Sequence, residues 1–472
     1  MQTQRDHVHA YQFMVGRMTS ALVSGDPGAF EPPARRAWIG LVIGVVLAVL
    51  VTAGFGVFGI VRPGGSTAWR KPGVILVEKE TGTRYVLLNG ALHPTLNQAS
   101  AMLLQGAGAT VQRISRNSLA GLPHGAPVGI AGAPDPVPRP ADLVTGPSLL
   151  CLAGVTGTGR VSATLLSDAL GGPAELLPQR EFLLVRSPGG TAYLVWRGSK
   201  YRLADDAVAA ALGVASGAGP VAPELWLDLV PDGQVIGPAA IEGVGTPGPQ
   251  VGGTGYDVGQ LFEQRVGAEG RQFHVLLRDG IAPLTETEFT LLAGRAGIPD
   301  PVSITSAAVV AAPRSADTSL ADRLPDLMAI RPAPTTDRSV CLRIEPNGPA
   351  TPVLAGGLPA GRTARSGGTV GVRLPPSAGL LAGAVPAPAG QRAPTRYLIT
   401  DQGLAHQIPD DDSLRALGLG AVTPVPMDAR LLAAIAAGPS LSRSALGAAG
   451  THTSTPSSTV PSTASSTAPG KG

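Results

Sequence analysis

Seven histidines and two cysteines carry most of the capacity for catalysis or metal binding in this sequence, and their spacing limits what they can do. The histidines stand at His7, His9, His93, His124, His274, His406 and His452, too scattered for a nucleophile–base pair or a metal cluster. No H-E-x-x-H, C-x-x-C or G-x-S-x-G occurs. A glycine precedes a lysine only at Gly470-Lys471, so the phosphate-cradling G-x-x-x-x-G-K-[ST] is absent and ATP finds no recognisable site. The glycine-rich run 245–255 follows no buried strand and opens no βαβ unit, which makes it a loop rather than a dinucleotide fingerprint. Asp410-Asp411-Asp412 stand where a helix begins, so capping and dipole compensation explain them better than a cation does. His93 and His406 lie at matching places beside strands and read as satisfied, half-buried rings. The residues therefore name no catalytic group, no metal and no cofactor.

The elements that position this chain begin with a membrane span. From residue 37 to 61 no charge occurs, and 25 apolar residues are enough to cross a bilayer. A cleaved signal peptide would have a shorter apolar region nearer the start. Ahead of the span, Val8, Tyr11, Val15, Met18 and Leu22 recur at steps of three and four. They form one apolar face of a helix that Asp26, Pro27 and Gly28 end. Such a short segment has no core of its own. Its stripe lies on the inner membrane surface or docks on a partner. The Arg35-Arg36 doublet at the span's edge favours a cytoplasmic N-terminus. Cys151 and Cys341, an even pair beyond the span, favour an oxidising compartment and a disulfide; the alternative is two unrelated buried thiols. Such a bridge is worth at most about 5 kcal/mol by loop closure.

Lys and Arg number 36 against 33 Asp and Glu, a net charge of +3 that excludes a polyelectrolyte partner such as nucleic acid. Gly (63) and Pro (45) are abundant and aromatics are 4%, so short elements and loops dominate, while 44% hydrophobic residues rule out wholesale disorder. Four stretches align on Gly90, Gly198, Gly280 and Gly403, each an apolar strand, a polar turn and a second short strand. Helix-like segments follow the second and fourth, giving a repeat of roughly ββαβ type. Strand-like runs at 148–155, 307–312 and 339–344 lie between repeats. The fold class is α+β and rich in β-structure, divided as follows. Residues 1–36 are the amphipathic helix and 37–61 the membrane helix. Repeats occupy 66–139, 181–236, 237–300 and 395–449. A central β domain combines 140–180 with 301–394. The tail 450–472, nearly all Ser, Thr, Pro, Ala and Gly, is disordered.

Several strings together resemble the EccB family, a membrane component of the type VII (ESX) secretion systems of actinobacteria. They are the N-terminal Gln4-Arg-Asp-His-Val-His-Ala-Tyr-Gln-Phe-Met-Val-Gly-Arg-Met18, Leu92-His-Pro-Thr-Leu-Asn97, Val128-Gly-Ile-Ala-Gly-Ala-Pro-Asp135 and Val258-Gly-Gln-Leu-Phe262. The resemblance implies one transmembrane helix, a short cytoplasmic end, and an elongated extracytoplasmic region in which a central β domain is flanked by four repeats and tied by a disulfide. It implies partners EccC, EccD and EccE in a hexameric assembly, with the MycP protease as a further partner and peptidoglycan as a candidate ligand of the repeats. The function implied is a structural core of the export complex. The alternatives are a membrane-anchored wall binder and an ATPase, as the family is often labelled.

Overall fold

The computed structural model describes residues 4–24, 34–61, 67–155, 161–167, 170, 172–215, 217–267, 270–346, 348–356, 368–387 and 394–449. The tail expected to be disordered, 450–472, lies outside them. Contacts divide the chain into two bodies, Met1–Lys71 with Ile114–Gly121, and Pro72–Arg113 with Leu122–Gly472. The first holds the helices Gln4–Ser24 and Ala34–Val61.

The second body contains a six-stranded sheet and four small ones. The six-stranded sheet runs Val370–Arg373, Val161–Ser167, Ser148–Val155, Arg338–Ile344, Ala350–Gly356, Ala174–Leu176. Its strands come from both segments that the sequence joins into one central domain. They meet at Ser148–Val155 and Arg338–Ile344, which pair antiparallel with Cys151 opposite Cys341.

Each repeat carries one strand more than the ββαβ reading. Three antiparallel strands come first, then a helix. A fourth strand returns beside the first, and in the last three repeats it runs parallel to it. The additional first strands are Val74–Glu78, Glu181–Arg186, Leu261–Val266 and Gly379–Val385. The repeat helices Gln98–Gln105, Asp206–Ala211, Glu286–Ala293 and Asp411–Ala416 begin alike. Asn97, Asp205, Thr285 and Asp410 each cap by accepting the backbone N–H three residues on. Asp410 is thus a cap, with Asp411 and Asp412 in the positive first turn.

Four expectations for 301–394 change. Val302–Ile304 completes the third repeat's sheet, Arg331–Pro332 the second's, and Gly379–Val385 opens the fourth. The run 307–312, expected to be a strand, forms the helix Ser306–Ala311 and its C-cap Ala312. The N-cap is the Thr305 hydroxyl, which accepts from Ala308 N at 3.3 Å. A six-residue stretch of Ala and Val is too short for its period to show which element it forms.

Packing joins the repeats in twos. Ala99 and Leu103 of the first share a core with Leu381, Leu398 and Leu414 of the fourth. Val208 and Leu194 of the second share one with Leu291 of the third. The largest core unites the central sheet with strands of the second and fourth repeats around Trp226. That indole is fully buried and donates from Nε1 to Leu150 O at 3.1 Å.

Candidate functional site

The helix Gln4–Ser24 presents its apolar residues to solvent. At 100° per residue Val8, Tyr11, Val15, Met18 and Leu22 fall within an arc of about 80°. Their exposure ranges from 43% for Val15 to 85% for Leu22. Met14, 70% exposed, widens the stripe; it stands three residues after Tyr11 and four before Met18, a spacing the sequence reading passed over. Phe13 lies on the opposite side with the Arg17 guanidinium 6.0 Å from its ring centroid. Nothing in a one-helix segment can bury such a stripe, so it costs free energy unless something else covers it.

The second helix, Ala34–Val61, contains the window Ala37–Val57 with mean hydropathy 2.5 and no residue buried. Those 21 residues rise about 32 Å, enough for a hydrocarbon core of roughly 30 Å. An apolar surface exposed all round suits lipid, and Trp38 near its start suits the interface.

Cys151 and Cys341 are joined Sγ to Sγ, with Cα atoms 3.9 Å apart and a sequence separation of 190. They sit in a core with Leu149, Leu166, Val353 and Ala355. The bridge ties the two halves of the central sheet at their junction.

Of the four aligned glycines, Gly90, Gly198 and Gly403 have φ of 78° to 79° and make hairpin turns; Asn89 and Arg197, each at φ 49°, complete left-handed pairs in the first two. Gly280 differs from the turn role expected for it. Its φ is 156°, and a Cβ there would press on the Pro313 carbonyl carbon at 2.6 Å. The third hairpin is shifted by one residue. Leu92 N, Lys200 N and Ala405 N donate to the carbonyls of Pro123, Pro231 and Ala436, and the bond of this kind in the third repeat comes from Ile281 N to Pro313 O.

Those bonds reveal a feature the sequence reading did not find. One residue on, His93, Tyr201 and His406 fill the space where a Cβ of Gly125, Gly233 and Gly438 would stand, each pair 32 residues apart. His93 Nδ1 lies 2.9 Å from Ala126 O and His406 Nδ1 lies 3.0 Å from Pro439 O. His406 is buried, and that burial holds its pKa below the ordinary value against the raising effect of the Pro439 carbonyl. These rings are locks within the fold. A fixed 32-residue spacing of ring and glycine was the available signal. Among the described residues, no group of three or more His, Cys, Asp or Glu is placed to hold a metal ion.

The glycine-rich run is an ordered loop. Gly245 and Gly248 donate to the carbonyls of Val258 and Tyr256, and Val251 and Thr254 pair across its tip. It buries Val251 beside Phe262 and Val309.

A family model described as type VII secretion system ESX-1, transport TM domain B, matches residues 1–456. The chain belongs to the EccB family. ESX-1 secretion system ATPase EccB1 of Mycobacterium tuberculosis is 27% identical over 473 residues, covering 94% of either chain. ESX-5 secretion system ATPase EccB5 of Mycobacterium marinum is 27% identical over 483 residues, covering 93% of this chain and 92% of its own. Among solved structures, a chain of an intact ESX-5 inner membrane complex superposes with a TM-score of 0.59 at 22% identity, covering 99% of both. An EccB3 dimer from the ESX-3 core complex gives 0.54 at 24% identity, covering 79% of this chain and 99% of that one. EccB relatives carry ATPase in their names, whereas this sequence has no phosphate-cradling loop of the Walker type.

Proposed function

We propose that this chain is a structural core component of a type VII secretion complex in the inner membrane, which it anchors and whose extracytoplasmic part it helps to form. The observation that carries the reading is the exposed stripe of Val8, Tyr11, Val15, Met18 and Leu22 on a helix just ahead of a single span. Family membership over nearly the whole chain supports it. In this reading the N-terminal helix is cytoplasmic and docks on EccC and EccD, and several copies assemble. The Arg35-Arg36 doublet and a disulfide beyond the span support that orientation. A scaffold needs no nucleophile, and none is assigned.

The test is mild-detergent extraction of tagged full-length protein, with native mass and identification of what co-purifies. The expected result is a megadalton-scale particle containing a multi-spanning membrane protein. Changing Val8, Val15 and Met18 together to Glu is expected to reduce that co-purification at least tenfold while the protein remains in the membrane. Unchanged assembly in the triple variant overturns the docking role, and a lone monomer or dimer from the wild type overturns the scaffold.

A further inference from the structure

We propose that the second repeat carries a binding cleft for the free terminal carboxylate of a short peptide, built around Arg197. The cleft measures about 430 Å³ and is lined by Leu177, Pro178, Gln179 and Arg197. That volume lies within the range of small-ligand sites.

Both walls are held in place. On one side Arg197 sits at the hairpin turn with φ 49°, followed by Gly198 at 78°. Its guanidinium lies over the ring of Trp196, 4.3 Å from the centroid. A guanidinium carries N–H donors in a fixed fork that can grip a carboxylate through two bonds. Among the described residues no carboxylate is paired with Arg197, unlike Arg186, Arg331 and Arg338 nearby in the fold, which pair with Asp206, Glu181 and Glu175. On the other side the turn 178–181 closes through Glu181 N donating to Pro178 O at 2.9 Å. Trp196 Nε1 donates to Gln179 O at 2.7 Å, which fastens this wall to the strand that carries the arginine. Preformed walls lower the entropy cost of binding.

The remaining lining selects the rest of the ligand. Leu177 and Pro178 offer an apolar wall, and the Gln179 amide can donate and accept. A cation, an amide partner and an apolar wall suit a peptide end with a free carboxylate, a peptide bond and a small apolar side chain. The other hairpins lack the combination: Asn89 follows Leu88, Arg278 follows Leu277, and Gln402 follows Asp401.

The inference is independent of the docking helix. Full-length protein in detergent is titrated with N-acetyl-Ala-Ala as the acid and as its C-terminal amide, read by saturation-transfer NMR. The acid is expected to bind at millimolar concentration and the amide at least tenfold more weakly. Arg197→Gln is expected to weaken the acid tenfold or more. Arg197→Lys is expected to fall between them, because it keeps the charge but loses the stacked fork. The side chain is exposed, so an unchanged melting temperature shows that the variants remain folded. Equal binding of acid and amide, or an unaffected Arg197→Gln, overturns the proposal. So does competition by inorganic phosphate at the same concentration as the peptide, which would reveal a site for any anion.

Discussion

The third and fourth repeats solve one packing problem in two ways. In the fourth, the segment that returns to the hairpin carries Gly438, and the buried His406 ring takes the place of its missing side chain. In the third, Ala282 stands at the ring's position, and the close approach falls to backbone, Gly280 against Pro313. The hydrogen-bond register is the same, so the register defines the repeat and the filling is negotiable. A ring can turn away from an added methyl, but a carbonyl held in a ladder cannot.

The largest effect therefore belongs to Gly280→Ala. Its Cβ would meet the carbonyl carbons of Pro313 at 2.6 Å and Arg314 at 2.7 Å, at a φ of 156° that L-residues avoid. Steric and backbone strain together are expected to cost about 3 kcal/mol or more. Hydrogen exchange at 281–284 is expected to accelerate while the first repeat stays protected. Unchanged exchange would show that the third repeat is not closed through backbone contact. Gly438→Ala is expected to cost less, about 2 kcal/mol, as the buried His406 ring is displaced. In a His406→Ala background the same substitution is expected to lose most of that cost, a coupling that a double-mutant cycle measures. Additive costs would mean that ring and glycine do not form a lock.

His406 also makes the fourth repeat sensitive to pH. Burial lowers its pKa below the ordinary 6.5, so the unfolded chain takes up a proton before the folded one does. Stability from this group is complete above about pH 6.5 and is lost as the pH falls below it towards the folded value, at no more than about 1.4 kcal/mol per pH unit. His274 in the third repeat has the same sign, from burial first and then the nearby Arg314. His406→Gln is expected to flatten the acid slope of fourth-repeat exchange and leave the third repeat's slope intact. An equal loss in both would assign the acid sensitivity elsewhere.

What the residues revealed in advance depended on how local the signal was. The hairpins were legible because Asn89-Gly90 and Arg197-Gly198 place turn chemistry between short apolar strands. The docking stripe was legible because Val8 to Leu22 keep helical spacing within one element. The strand that closes the second repeat was hidden because its partner lies far along the chain. Arg331–Pro332 pairs with Glu181 and Phe182 150 residues earlier. Gly379–Val385 carries two Gly and two Ala among seven residues and looks like linker until its pairing with Arg396–Thr400 and Val425–Asp428 is seen. The cleft at Arg197 escaped for a similar reason. Its second wall begins at Leu177, assigned in advance to the central domain, and no local pattern predicts that Trp196 reaches the Gln179 carbonyl.

The smallest effect is the sharpest test of the comparison. Gly125 in the first repeat faces His93 as Gly438 faces His406, but His93 is only half-buried and can swing outward, giving up its bond to Ala126 O. Losing that bond costs about 1 kcal/mol. Gly125 has no left-handed φ, so alanine fits its backbone, and a glycine replaced at a compatible position gains about 0.4 to 1 kcal/mol from the unfolded state. The two nearly cancel, and Gly125→Ala is expected to shift stability by less than about 0.5 kcal/mol. With His93→Ala already in place the opposing cost is gone and the same substitution should stabilise. A change of sign between the two backgrounds would show that the ring alone, and not the backbone, requires glycine here. A loss in both would place the constraint in the main chain, as at Gly280.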